Sequence, residues 1–248
     1  MILTPIPREE LAGVLDHFRA GLSDRLSREA FAQIRATSPD RAAGAEAERQ
    51  RLAALSFTRG LGMAIHPEGT SCRFNWDGAA LNGATEAYVI LHEVAHFALA
   101  PLERRGLVEF GLGPGPDTLD HEAAERAAVV SPLAREEDES LASPERRGLV
   151  EFGLGPGPDT LDRDTAERAA VLPLLARETD EAAASLLGIL WEAALGQPAL
   201  ASFLDQNWLE GLDRSAAGHF TAVVETLQHR GLLSLERAPA VSTAPTDG

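Results

Sequence analysis

Apolar residues recur at mixed three- and four-residue spacing through the first 55 positions, the rhythm of amphipathic helices. The pattern predicts helices over 8–22, 27–36 and 42–55, in segments rich in Ala, Glu and Arg. From 56 to 77 the texture turns to Gly, Pro and short apolar runs such as Gly62-Met63-Ala64-Ile65-His66, which predicts one or two short strands with a turn. Residues 84–100 read as a strongly apolar helix stopped by Pro101. A long helix is expected over 178–195, closed by Gly196-Gln197-Pro198. The small, polar residues 238–248 are expected to be disordered.

A tandem duplication interrupts this plan. The segment from Glu103 to Asp120 recurs unchanged from Glu145 to Asp162, an offset of 42 residues. Extended without gaps, the copies 103–143 and 145–185 agree at 32 of 41 positions. Each is a Gly/Pro-rich loop followed by a helical run, starting near Thr118 and Thr160. Two copies are too few for a solenoid, so the chain reads as a domain of about 206 residues plus an inserted duplicate. The organisation expected is a helical lead-in over 1–55, one domain over 56–237 that contains the repeat, and the tail.

Composition narrows the chemistry. All 22 basic residues are Arg, which removes Schiff-base chemistry, pyridoxal phosphate anchoring and a Walker-type phosphate lysine. The net charge of −16 argues against a nucleic-acid partner or an anionic membrane surface. The insert, with 4 Arg against 10 acidic residues, supplies −6 of it. The single cysteine, Cys72, permits neither a disulfide within the chain nor a thiolate cluster and fits a reducing compartment. With no basic leader or long apolar run at the start, the expected location is the cytoplasm.

Within the apolar helix lies His92-Glu93-Val94-Ala95-His96. Positions four apart share a helix face, so the two imidazoles can hold one metal while Glu93 addresses a bound water as general base. Unpaired His and Glu would be costly in so apolar a helix, which favours a metal site over two plain core histidines. A third ligand must come from a carboxylate downstream, in Glu136-Glu137-Asp138-Glu139 or in Glu178-Thr179-Asp180-Glu181. Pro144 cuts off the helix after Glu139, whereas Glu181 leads into a long apolar helix. Glu181 is therefore the expected ligand, with Glu139 the alternative. His121-Glu122 has Arg163-Asp164 as its counterpart and reads as surface. His66 could line the pocket. His17, His219 and His229 read as surface residues, and Trp76, Trp191 and Trp208 as core.

From His92 onward the chain resembles the elongation factor P hydroxylase family. The features that carry the resemblance are His92, Glu93 and His96, then Arg104-Arg105, Glu109-Phe110-Gly111, Pro116-Asp117, and Glu136 with Glu139 or Glu178 with Glu181. They span roughly 50 residues of one copy and the helix after it. Phe97 stands where the family has Trp, and Leu112-Gly113-Pro114-Gly115 replaces an aromatic-rich stretch. The resemblance implies one divalent metal, Fe(II) in preference to Zn(II), bound by two His and a Glu for oxygen-dependent hydroxylation of a modified lysine on a translation factor. The alternative is a zinc peptidase of the same pentapeptide type with Glu93 as base. A protein in which the metal is structural is a third reading, weakened by the lack of a fourth ligand. The fold expected is α+β, predominantly helical, a single zincin-like domain with a few short strands. The substrate expected is a protein side chain.

Overall fold

The computed structural model describes residues 6–113, 165, 168–209 and 215–233. It is predominantly helical. The first three helices are α1 (Arg8–Ala20), α2 (Arg25–Arg35) and α3 (Ala45–Gly60), followed by α4 (Ala87–Leu99) and the single turn of α5 (Leu102–Arg105). After one 3₁₀ turn (Val108–Gly111) come α6 (Leu174–Ala194), α7 (Ala199–Asp205) and α8 (Ala216–His229). Asp24 caps α2 by accepting from the Ser27 amide at 2.8 Å, and Ser215 caps α8 through the Gly218 amide at 3.3 Å.

The expected strands shrink to isolated bridges. Helix α3 runs on to Gly60, since the Leu55–Thr58 stretch still supplies packing side chains and the Thr58 hydroxyl bonds back to the Ala54 carbonyl at 2.8 Å. Beyond it Ile65 bridges Leu81 in parallel and Trp76 bridges Leu81 in antiparallel fashion. Gly and Pro at 62, 67, 69, 78 and 83 leave no run long enough to pair further. Gly78 is required where it stands. Its φ is 92°, and a Cβ there would lie 2.7 Å from the Gly106 carbonyl oxygen.

The core is continuous across the lead-in and the later helices. Phe18 of α1, Phe31 of α2, Phe203 of α7 and Phe220 of α8 form an aromatic cluster with ring centroids 4.8–6.3 Å apart. Helices α4 and α6 pack against each other through the apolar residues around Ile90, Leu91, Val94, Leu186 and Leu187, all fully buried. Gly188 makes this close approach possible: a Cβ there would stand 3.2 Å from the His92 Cα and 3.3 Å from its amide nitrogen. Trp76, Trp191 and Trp208 are all buried, as expected of core residues. Among the described residues no helix is long and apolar enough to cross a membrane.

A polar layer also sits at the α4–α6 contact. Glu192 is 2% exposed; the Ser202 hydroxyl donates to it at 2.7 Å, and an Arg41 Nη1 lies 3.8 Å away. Arg41 itself is committed to Asp205 at 2.8 Å and stacks over the Tyr88 ring at 3.8 Å. Burial, against these weaker favourable contacts, pushes the Glu192 carboxyl up to about 8. Its folded value therefore exceeds its unfolded value, and the folded state binds more protons between them. Stability should fall as pH rises from about 5 to about 8, with no further change beyond. Thermal melts of Glu192→Gln across this range should show a flatter pH dependence than the unaltered protein; parallel curves would place the titration elsewhere.

Candidate metal centre

Helix α4 places its two histidines as the spacing requires. His92 and His96 are 2% and 5% exposed, with their Nε2 atoms 2.9 Å apart. Helix α6 brings Glu181 across to face both. Its Oε1 lies 3.0 Å from the His92 Nε2, outside hydrogen-bond geometry, and its Oε2 lies 3.1 Å from the His96 Nε2. Burial alone would raise the Glu181 carboxyl, but the facing His96 and His92 outweigh it and hold the group well below the usual carboxylate range. Burial lowers His92, against the facing Glu181 carboxylate, which raises it.

The alternative third ligand, Glu139, lies outside the described residues, as do Glu136, Glu137, Asp138, His121, Pro116-Asp117 and the second arginine pair at 146 and 147. The repeat contributes to the site in an unexpected way. The loop that docks on α4 comes from the first copy, through Arg104, Glu109 and Phe110, while the helix that docks comes from the second, through Asp180 and Glu181. The join is tight, with the Val171 amide donating to the Gly111 carbonyl at 2.9 Å. The loop follows α4 directly through Pro101, which favours the first copy. The helix of the second copy runs on past the repeat to Ala194 and packs on α4, whereas Pro144 follows the first copy in the sequence. Deleting 103–144 regenerates one uninterrupted unit, because 145–155 repeats 103–113. We expect the shortened protein to remain soluble and to bind metal with unchanged affinity in a chelator competition titration; insoluble expression would show that the extra copy is integral.

Around the three donors lie Glu93, expected from the sequence, and Asn75, which the sequence did not assign. Glu93 is 3% exposed, with the Asn75 amide nitrogen 3.4 Å from its Oε1. The Asn75 backbone amide donates at 3.0 Å to Glu109, which in turn donates its own amide to the Trp76 carbonyl at 2.9 Å. Glu109 and Phe110 both adopt left-handed backbone, φ 45° and 53°, a conformation that costs a non-glycine residue on the order of 1 kcal/mol or more. The turn folds Phe110 onto His96, with ring centroids 5.7 Å apart, and onto Trp76 at 5.3 Å. Burial pushes Glu93 well above the ordinary carboxylate range, with Glu109 and Glu181 adding to it, and burial raises Glu109 to about 7.

The paired arginines brace the centre through contacts of different kinds. Arg104 is buried and donates to Asp180 at 2.5 Å, and Arg230 from the end of α8 donates to the other Asp180 oxygen at 2.9 Å. Asp180 directly precedes Glu181, so this clamp fixes the rotation of α6 at the ligand. Arg105 bonds the Ala100 carbonyl at 3.0 Å and covers the Phe97 ring at 4.4 Å. The other described histidines make contacts of their own. His66 pairs with Asp77 at 2.8 Å, His219 stacks on Trp208 at 5.3 Å, and His17 and His229 are exposed.

No family model, curated protein or solved structure matches this chain. Within it, His92, His96 and Glu181 offer donor atoms close enough to share one ion. Of the seven buried side-chain atoms left without a hydrogen bond among the described residues, four belong here: Asn75 Oδ1, His92 Nδ1, Glu93 Oε2 and Glu181 Oε1. Orphaned polar atoms are rare in folded proteins, and their concentration here fits a site that takes a charged ligand.

Proposed function

We propose that this protein is a metal-dependent enzyme in which His92, His96 and Glu181 hold one divalent ion, and that it hydroxylates a side chain of a protein substrate. The observation that carries the reading is the convergence of two imidazole nitrogens and one carboxylate within 4.8 Å of one another between α4 and α6. The donor set fits Fe(II) and Zn(II) alike. Two His and one carboxylate on one side of an iron leave positions for dioxygen and substrate, and this favours Fe(II). When bound, the metal would supply activation of dioxygen, one atom of which enters the C–H bond while the other is reduced to water by an external two-electron donor.

The chain's own residues have defined tasks. Glu181 and the two histidines bind, and the Arg104–Asp180–Arg230 clamp orients Glu181. Phe110 and Trp76 wall His96 from water. Glu93 presents Oε2, which has no partner among the described residues, to a proton, a water hydrogen or a cation. The zincin-like reading of the helix belongs to the same proposal, as does a translation factor as substrate, which follows from the resemblance.

A second reading, a zinc peptidase, is favoured by that same Glu93 oxygen, since a carboxylate beside the first histidine is the general base of such enzymes. Metal analysis of protein purified without added metal, then oxygen uptake with Fe(II) restored, separates the two. Oxygen uptake dependent on iron and on a reductant is expected. Stoichiometric zinc with peptide cleavage abolished by Glu93→Gln would establish the peptidase instead.

A further inference from the structure

Two carboxyl groups, those of Glu93 and Glu109, lie beside the three donors and are both held by Asn75. No arginine forms an ion pair with Glu93 or Glu109 among the described residues, since Arg104 is taken by Asp180. A buried carboxyl without a partner either keeps its proton or takes up a cation. The candidate space is marked by unpartnered oxygens. Glu93, 3% exposed, leaves Oε2 unbonded, and Asn75, which touches both Glu93 and Glu109, leaves Oδ1 unbonded. All three residues offer oxygen donors, the preference of a hard cation, whereas the first position offers two imidazoles. The backbone supports the same reading, because two consecutive left-handed residues are held in place to bring the Glu109 carboxyl inward.

We propose that Glu93, Asn75 and Glu109 form a second, oxygen-only cation position beside His92, His96 and Glu181, so that the centre takes two divalent ions. The inference rests on the metal centre proposed above. It assigns Glu109 and Asn75 as ligands and explains why a carboxylate is carried on a strained turn that a glycine would adopt more easily.

Titration of the metal-free full-length protein with Co(II), followed by calorimetry and by elemental analysis after gel filtration, tests it. Two ions per chain are expected. Glu109→Gln and Asn75→Ala should each bind one, the first position being kept with its affinity shifted by no more than the ~10–100-fold of an outer partner. His92→Ala should lose the tighter ion. One ion per chain in the unaltered protein, or two in Glu109→Gln, would overturn the second position; a single ion would mean that a proton fills the gap between Glu93 and Glu109. Absence of any stoichiometric ion, or binding indifferent to His92→Ala, would sink the underlying metal centre instead. Should the Glu109 variant fail to fold, magnetic coupling between the two ions of the unaltered protein decides. Uncoupled spectra at two equivalents count against the proposal.

Discussion

Replacing Glu181 with alanine is expected to weaken metal binding by at least ~100-fold, because even an outer partner of a metal ligand is commonly worth 10–100-fold. The change removes the only donor that α6 contributes, while α6 keeps the apolar face that packs on α4. Circular dichroism should therefore be unaltered while a chelator competition titration registers the loss. Glu139→Ala provides the comparison. Glu181 is the carboxylate that faces both imidazoles, so the Glu139 variant should bind as the unaltered protein does. The reverse order would show that the first copy completes the site.

The second large effect is expected at the clamp. Arg104→Ala leaves Asp180 without its buried partner, and breaking such a pair from one side typically costs about 3–5 kcal/mol. For a chain of this size the midpoint of thermal unfolding should drop by roughly 10 °C. Arg230, which is 36% exposed, retains one contact to Asp180 and should soften the loss. The clamp also orients the residue before Glu181, so metal affinity should fall together with stability. Arg230→Ala should cost much less on both counts, since an exposed pair is worth about 1 kcal/mol or less. Equal effects from the two arginines would mean that the buried geometry contributes nothing special.

These two predictions separate what a linear reading reaches from what it does not. His92 and His96 were legible because an α-helix puts residues four apart on one face, a local rule that needs no partner. The apolar run around them predicted burial, and α4 is buried over most of its length. Arg104 stood in a recognisable Arg-Arg pair, yet nothing in the sequence singled out Asp180 as its partner. Glu109 stood in a recognisable Glu-Phe-Gly step, yet nothing in a Gly/Pro-rich loop signals that its carboxyl turns inward. Asn75 carried no signal at all. The short strands expected before Asp77 failed for a related reason, because strand pairing depends on a partner elsewhere and here the partner is two bridges long.

Sequence alone determined the predominantly helical character, the order of the long helices and the two-histidine face, since each follows from local periodicity and propensity. It also favoured Glu181 over Glu139, through the proline that shortens one helix and the apolar run that extends the other. Only the tertiary structure decided that the centre is a hybrid, with its loop taken from one copy and its helix from the other. Two segments identical over 18 residues have the same local preferences, so nothing within them can choose. The choice is made by chain connectivity, which delivers the first loop straight from α4, and by packing, which rewards the helix whose apolar run continues past the repeat through Leu186, Leu187 and Leu190.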